Sequence, residues 1–220
     1  MTIKIGLIHT TMNSVQPILE AFHSHAPGVE VLNFVDEGLV SDLNRKNGVT
    51  PGMIRRLINL MDQAEKSEVD GILLACSVFS PFVADIAKVF SVPVLSADIS
   101  MLEHAVSMAE TIGVIATVSA AGPTTTSLLK EISKQRDKKI EVHTEIITEA
   151  FLALKSGDVA KHNELIHNKI SDLSGYCDVV VLAQMSMTRA VVDLKETSKP
   201  ILTSPAISVR AILSQVARKK

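Results

Sequence analysis

The chain has 220 residues, 46% of them hydrophobic and 21% charged, with a formal net charge of −2, enough to bury a substantial core. One tyrosine, no tryptophan and no basic stripe exclude nucleic-acid binding by phosphate neutralisation and base stacking. No apolar run reaches the roughly 18 residues of a membrane span, and the first residues enter a strand pattern with no signal region. Two cysteines without framework spacing fit a reducing compartment and free thiols, so a cytoplasmic protein is expected.

In chain order the pattern reads as strand 3–9, helix 13–24, strand 30–35, helix 51–66, strand 71–76, helix 80–89 and strand 93–96. It then reads as helix 97–109, strand 112–117, helix 123–135, strand 140–147, helices 148–155 and 160–174, strand 178–183, helix 187–193, strand 200–203 and helix 205–218. Short β-branched runs alternating with amphipathic stretches predict βα units around parallel sheets. Continuous apolar runs such as Gly71-Ile72-Leu73-Leu74-Ala75 suit strands covered on both faces. Thr50 before Pro51 and Ser80 before Pro81 read as N-caps with proline at the first helical position. Thr124 to Thr126 read as another polar helix start, and segment 37–50, with Gly38, Asn44 and Gly48, as a loop that could act as a lid. The basic run Arg218-Lys219-Lys220 reads as a solvated terminus.

The strand program is written twice. Ile5-Gly6-Leu7-Ile8 recurs as Ile112-Gly113-Val114-Ile115, Val69 to Cys76 recurs as Cys177 to Gln184, and Pro93 to Ser96 recurs as Pro200 to Thr203, at offsets of 107 or 108. Two similar α/β lobes follow, residues 1–96 with 205–220 and residues 97–204. Each is expected to carry a parallel sheet flanked by helices, with the terminal helix packing back on the first lobe.

Ligands of parallel α/β sheets bind beyond the carboxyl ends of the strands. Those ends hold His9, Thr10 and Thr11; Cys76 and Ser77; Ser96 to Asp98; Thr117 to Ser119; Gln184 to Ser186; and Thr203 and Ser204. Cys76 stands out, because a cysteine before a helix start meets amide N–H groups and a dipole that favour a thiolate. Gln184 takes its place in the second copy, and an amide can bind a carboxylate but cannot accept a proton at neutral pH. His9 is a partly exposed loop histidine or an acid/base partner for the thiol. Asp98 and Glu103 read as capping or surface groups, and Arg189 as a surface ion pair or a carboxylate binder. Cys177 opens its strand, roughly 20 Å from the active end, and reads as structural. His23, His25, His104, His143, His162 and His167 show no metal-ligand grouping, and no nucleotide-binding glycine motif is present. No metal or cofactor is expected.

The segments ACSVFSP (75–81), VPVLSAD (92–98) and MLEHAV (101–106) resemble the aspartate/glutamate/hydantoin racemase superfamily. So do GVIAT (113–117), AFLALKSGD (150–158), VVLAQMSMTRA (180–190) and PILTSP (200–205), in a subgroup with glutamine where racemases carry their second cysteine. The resemblance implies a two-lobed, pseudo-symmetric enzyme with its substrate between the lobes and a cofactor-independent thiol mechanism. Carried over by position, Cys76 matches the first thiol. Ser77 and His9 to Thr11 match substrate-anchoring positions, and Thr117 and Ser186 match the anchors of the second half. Gln184 departs from the two-thiol pattern.

Three readings follow. The first is a racemase- or epimerase-type isomerase of a small carboxylic acid, with Cys76 as acid/base and His9 as the local candidate for a second such group. The second is a single-cysteine lyase or decarboxylase, and the third a non-catalytic binding protein. The expected partners are a small carboxylate and, by analogy with two-lobed relatives, further copies of the chain.

Overall fold

The structure is a computed structural model and describes residues 2–46, 48–192, 194 and 197–219, with nothing said of the Asn44 side chain. The chain divides into two compact units, Met1–Ser100 with Pro205–Lys220 and Met101–Ser204. Both have the expected α/β class.

In the first unit, β1 (Lys4–His9) leads through a 3-10 turn, Met12–Ser14, into α1 (Val15–His25). Then come β2 (Glu30–Val35), α2 (Gly38–Lys46), α3 (Pro51–Lys66) and β3 (Gly71–Leu74). A second 3-10 turn, Ser77–Phe79, precedes α4 (Ser80–Ile86), and β4 (Val94–Ser96) closes the sheet. The strand order is β2-β1-β3-β4, all parallel, with Ile5 opposite Gly71 and Ile72 opposite Val94.

The helix α5 (Ile99–Met108) leads to β5 (Thr111–Ala116), α6 (Ala121–Gln135), β6 (Glu141–Ile146), α7 (Thr148–Lys155) and α8 (Val159–Ser174). β7 (Val179–Leu182), a 3-10 turn at Met185–Ala190 and β8 (Ile201–Leu202) complete a second parallel sheet of order β6-β5-β7-β8. The chain ends in α9 (Ser204–Lys219).

The central strands carry the core. Every residue of β3 and β7 is buried, whereas the edge strand β2 is partly exposed, as expected for sheets covered on both faces. α3 buries Met53, Leu57, Met61 and Ala64, and α8 buries His162, Ile166, Ile170 and Leu173; both stripes have helical spacing. Helix and sheet approach closely at a matching glycine in each unit. A Cβ at Gly6 would lie 2.9 Å from the Ala64 Cβ, and one at Gly113 would lie 3.1 Å from Leu173 Cδ1 and 3.2 Å from Cys177 Sγ. Cys177 is thus the counterpart of Val69, which flanks Gly6 in the same way, and it packs in the core of the second unit. On the first unit, Ile212 and Val216 of α9 close over Gly71.

Thr50 caps α3 through Met53 N–H, and Asp158 caps α8 through Lys161 N–H at 3.0 Å. Gly157, at φ +87°, supplies the left-handed residue that separates α7 from α8.

Four expectations need correction. The supposed loop at 37–50 contains α2, which buries Leu39 and Leu43 one turn apart. Arg56 holds it with a fork onto Asp36 (Nη2 to Oδ1 2.6 Å, Nε to Oδ2 2.9 Å) and a third bond to Asp42 at 2.6 Å. The helix expected at 80–89 ends at Ile86 in a 3-10 turn, Ala87–Val89. That expected at 187–193 is the 3-10 turn Met185–Ala190; residue 193 lies outside the described residues. Thr124 and Thr126 do not cap α6, since their hydroxyls donate back to the carbonyls of Ala120 and Gly122.

Candidate functional site

In the first unit the ladder continues one step past the strands: Ala75 N–H donates to the Ile8 carbonyl and Ala97 N–H to that of Leu74, both at 2.9 Å. This step brings Thr10, Cys76 and the segment to Asp98 to one edge of the sheet. The Thr10 hydroxyl, itself buried, donates to Cys76 Sγ at 2.9 Å. Cys76 occupies the N-cap position of the Ser77–Phe79 turn without a side-chain capping hydrogen bond, and remains partly exposed. The backbone N–H groups of Val78 and Phe79 lie near its sulfur and, with Thr10, favour the thiolate, as expected for a residue before a helix start. Burial is the larger effect and pushes the thiol up, aided by the nearby Asp98 charge. Between these opposing influences, burial weighs toward the protonated form.

His9 is fully buried, not a partly exposed loop residue. Its Nδ1 lies 2.8 Å from Ser14 Oγ and its Nε2 lies 3.0 Å from the Asn33 amide oxygen. Because the Ser14 hydroxyl donates to the Thr11 carbonyl, Nδ1 carries the proton that bonds Ser14. The two terminal atoms of Asn33 interchange by a half-turn of the amide, so a neutral ring can be satisfied on both sides. Burial holds the imidazole pKa below its ordinary value. With both nitrogens engaged, His9 has none directed at Cys76, and its geometry is that of a group holding the Thr10–Ser14 loop. Thr11 accepts from Asn13 N–H at 3.3 Å and caps the following turn. Ser77 opens the 3-10 turn after Cys76 and is half-buried.

Asp98 was expected at the surface or as a cap, yet it is 5% exposed. Its Oδ1 accepts from Ser80 Oγ at 2.6 Å and from Ser96 Oγ, while its Oδ2 is buried with no partner. Ser80 is not the expected N-cap of α4, because its hydroxyl faces this carboxyl group. Nothing in a linear pattern marks such a contact, which depends on the β3–β4 register. Glu103, by contrast, is a half-exposed partner of Arg136 at 3.8 Å.

In the second unit, Ala183 N–H donates to the Ile115 carbonyl at 2.9 Å, the same step beyond the strands. Thr117 stands where Thr10 stands, and its backbone N–H donates to Gln184 Oε1 at 2.6 Å. Ser186 lies in the following turn, where its carbonyl accepts from Arg189 Nε at 2.8 Å. His162 is fully buried, with Nδ1 donating to the Ala150 carbonyl at 2.9 Å and Nε2 without a partner. Cys177 is 1% exposed and belongs to the packing described above. Among the described residues, no group of three His, Cys, Asp or Glu side chains is placed to hold a metal ion, and no helix is long and apolar enough to cross a membrane.

The family described as Asp/Glu/Hydantoin racemase matches residues 5–212. Solved structures with the same fold include an aspartate racemase homologue from Pyrococcus horikoshii, at 17% identity and TM-score 0.71, covering 97% of this chain and 99% of that one. An aspartate racemase from Picrophilus torridus shares 16% identity at TM-score 0.76, covering 98% and 94%. A glutamate racemase from Francisella tularensis, solved with D-glutamate, shares 16% at TM-score 0.71, covering 99% and 82%. No curated protein sequence matches the chain.

Proposed function

Since the chain belongs to the Asp/Glu/hydantoin racemase family, which supports a racemase-type function, we propose that it is a cofactor-independent isomerase of a small carboxylic acid with Cys76 as its acid/base. The observation that carries this reading is the Thr10 to Cys76 hydrogen bond at 2.9 Å, at the carboxyl edge of the central strands. A carbon acid needs a base that takes the proton beside the carboxylate and donors that hold the resulting enediolate. Cys76 supplies the first. The hydroxyls and amides of Thr10, Thr11 and Ser77 supply the second; Thr117, Gln184 and Ser186 are the substrate-anchoring candidates of the second unit. His9 keeps the Thr10–Ser14 loop in place rather than moving a proton.

One observation favours a second reading. Gln184 stands where a second thiol would be, and its oxygen is occupied by Thr117 N–H, so it returns no proton. A lyase or decarboxylase needs one proton donor: carbon dioxide leaves, the enediolate carbon takes the Cys76 proton, and the sulfur becomes a thiolate that solvent reprotonates. A thiol kept protonated by burial suits that step.

Incubation with small chiral acids and with malonate-type acids in deuterated water separates the two. Deuterium wash-in with inversion supports the isomerase, and carbon dioxide release supports the lyase. Full activity of Cys76→Ala in either assay would overturn the thiol mechanism.

A further inference from the structure

The carboxyl group of Asp98 has no role in the chemistry above, yet its setting is unusual. Both serine hydroxyls that reach it bond to one oxygen, Oδ1, and the other oxygen is buried and unpartnered. A buried carboxylate normally spreads its charge over donors on both oxygens. Ser80 connects the group to the backbone of Cys76, for its Oγ lies 2.6 Å from Asp98 Oδ1, 2.5 Å from Ser96 Oγ and 3.5 Å from the carbonyl oxygen of Cys76.

The internal repeat gives an independent view of the same cluster. The positions matching Ser80, Ser96 and Asp98 in the second copy are Thr188, Thr203 and Pro205. Hydroxyls are kept at the first two, but no carboxylate stands at the third, and Thr188 Oγ1 is buried without a partner. The carboxylate thus accompanies the thiol and is missing where the thiol is replaced by Gln184.

We propose that Asp98 is a positioning residue for Cys76: carboxyl group and thiol hold one negative charge between them, and Ser80 and Ser96 decide how firmly Asp98 keeps it. While Asp98 holds the charge, the sulfur stays protonated and is a proton donor. When Asp98 is protonated, the thiolate forms readily and is a base. Two anions in one poorly solvated shell repel each other strongly, so the pair titrates as a unit.

Other titratable groups nearby are accounted for. From β1 the neighbour is His9, neutral and bonded to Ser14 and Asn33. From α4 it is Asp85, exposed and paired with Lys88. The first turn of α5 after Asp98 contributes Ile99, Ser100, Met101 and Leu102, none of them charged.

The inference rests on Cys76 being the reacting group, but its test needs no substrate. Alkylation of Cys76 by iodoacetamide is followed across pH by mass spectrometry of the Cys76 peptide, which keeps Cys177 out of the readout. Asp98→Asn preserves the acceptor for both serines and removes the charge. The alkylation midpoint should fall by about one pH unit, equivalent to roughly tenfold faster labelling below the midpoint. Ser96→Ala, which weakens the hold on the carboxylate, should move it the same way by a smaller amount. A folded Asp98→Asn protein with an unchanged or raised midpoint overturns the proposal. If that variant does not fold, an unshifted Ser96→Ala midpoint does so. Absence of deuterium exchange or carbon dioxide release in the wild-type protein would sink the functional reading and leave this one standing.

Discussion

The two strand edges of this molecule are built alike and equipped differently. In each, the ladder runs one step past the strands, to Ala75 and Ile8 in one copy and to Ala183 and Ile115 in the other, at 2.9 Å both times. A threonine after the first strand then meets the residue after the third. In the first unit the threonine hydroxyl bonds a sulfur; in the second the threonine backbone bonds an amide oxygen. The same scaffold therefore offers a titratable group on one side and a fixed dipole on the other. Shared architecture says where a functional residue stands and leaves open what that residue can do.

That comparison can be broken at several points. The largest effect is expected at the edge positions: Cys76→Ala should lower deuterium exchange or carbon dioxide release by at least about a hundredfold, the usual scale of a lost acid/base. Gln184→Ala should cost less, about tenfold, since it removes an anchoring hydrogen bond. Equal losses for the two would mean that the edges are functionally equivalent. Gln184→Cys should raise the ratio of inversion to retention in the wash-in assay, as it restores a second titratable group.

Next in size is the packing beneath each edge. Gly6→Ala sets two Cβ atoms 2.9 Å apart, with neither able to swing aside, whereas Gly113→Ala first meets the movable end of Leu173 at 3.1 Å. Thermal unfolding should show the Gly6 change costing about 2 kcal/mol and the Gly113 change about 1 kcal/mol, within the usual range for overpacking. The reverse order would show that the second unit is the more tightly packed.

A third effect is acid sensitivity. His9 and His162, one per unit, are buried with pKa values held below 6.5, chiefly by desolvation. The unfolded chain then binds more protons than the folded one once pH falls below about 6.5. Stability should therefore be full above that value and decline toward the folded-state pKa, by up to about 1.4 kcal/mol per pH unit for each histidine. Denaturant unfolding at stepped pH measures this, and replacing one histidine by glutamine should remove its share. A flat profile between pH 6.5 and 5 (about the range in which histidine titrates) would show that neither ring stays neutral on folding.

The smallest effect is at Thr10. Its hydroxyl favours the thiolate, so Thr10→Val should raise the Cys76 alkylation midpoint, by about one pH unit or less. This is opposite in sign to the change expected of Asp98→Asn, and the opposition separates hydrogen bonding from charge.

Much of this was legible in the sequence, for identifiable reasons. Strands β1, β3, β5 and β7 announce themselves as continuous apolar runs, and their repetition at a fixed offset exposes the duplication and the Cys76 and Gln184 positions. What could not be read depends on contacts between segments far apart in the chain. α2 has just two buried leucines, Leu39 and Leu43, too few to register as periodicity, and its hold comes from Arg56 some 14 to 20 residues away. His9 looks like a loop residue until Ser14 and Asn33 enclose it. Asp98 follows a strand as any capping residue would, and the β3–β4 register is what carries it under Ser80.

The fork of Arg56 has a consequence of its own. An element with so little apolar area is held on by charge, and charge is answerable to the solution in a way that packing is not. The Arg56 side chain is 38% exposed and its acidic partners 23%, so salt reaches these pairs and weakens them. Raising ionic strength should therefore speed amide exchange in Gly38–Lys46 while leaving the central strand β1 as it was. One helix of the first unit would then answer to the ionic composition of its surroundings, and the rest of the unit would not.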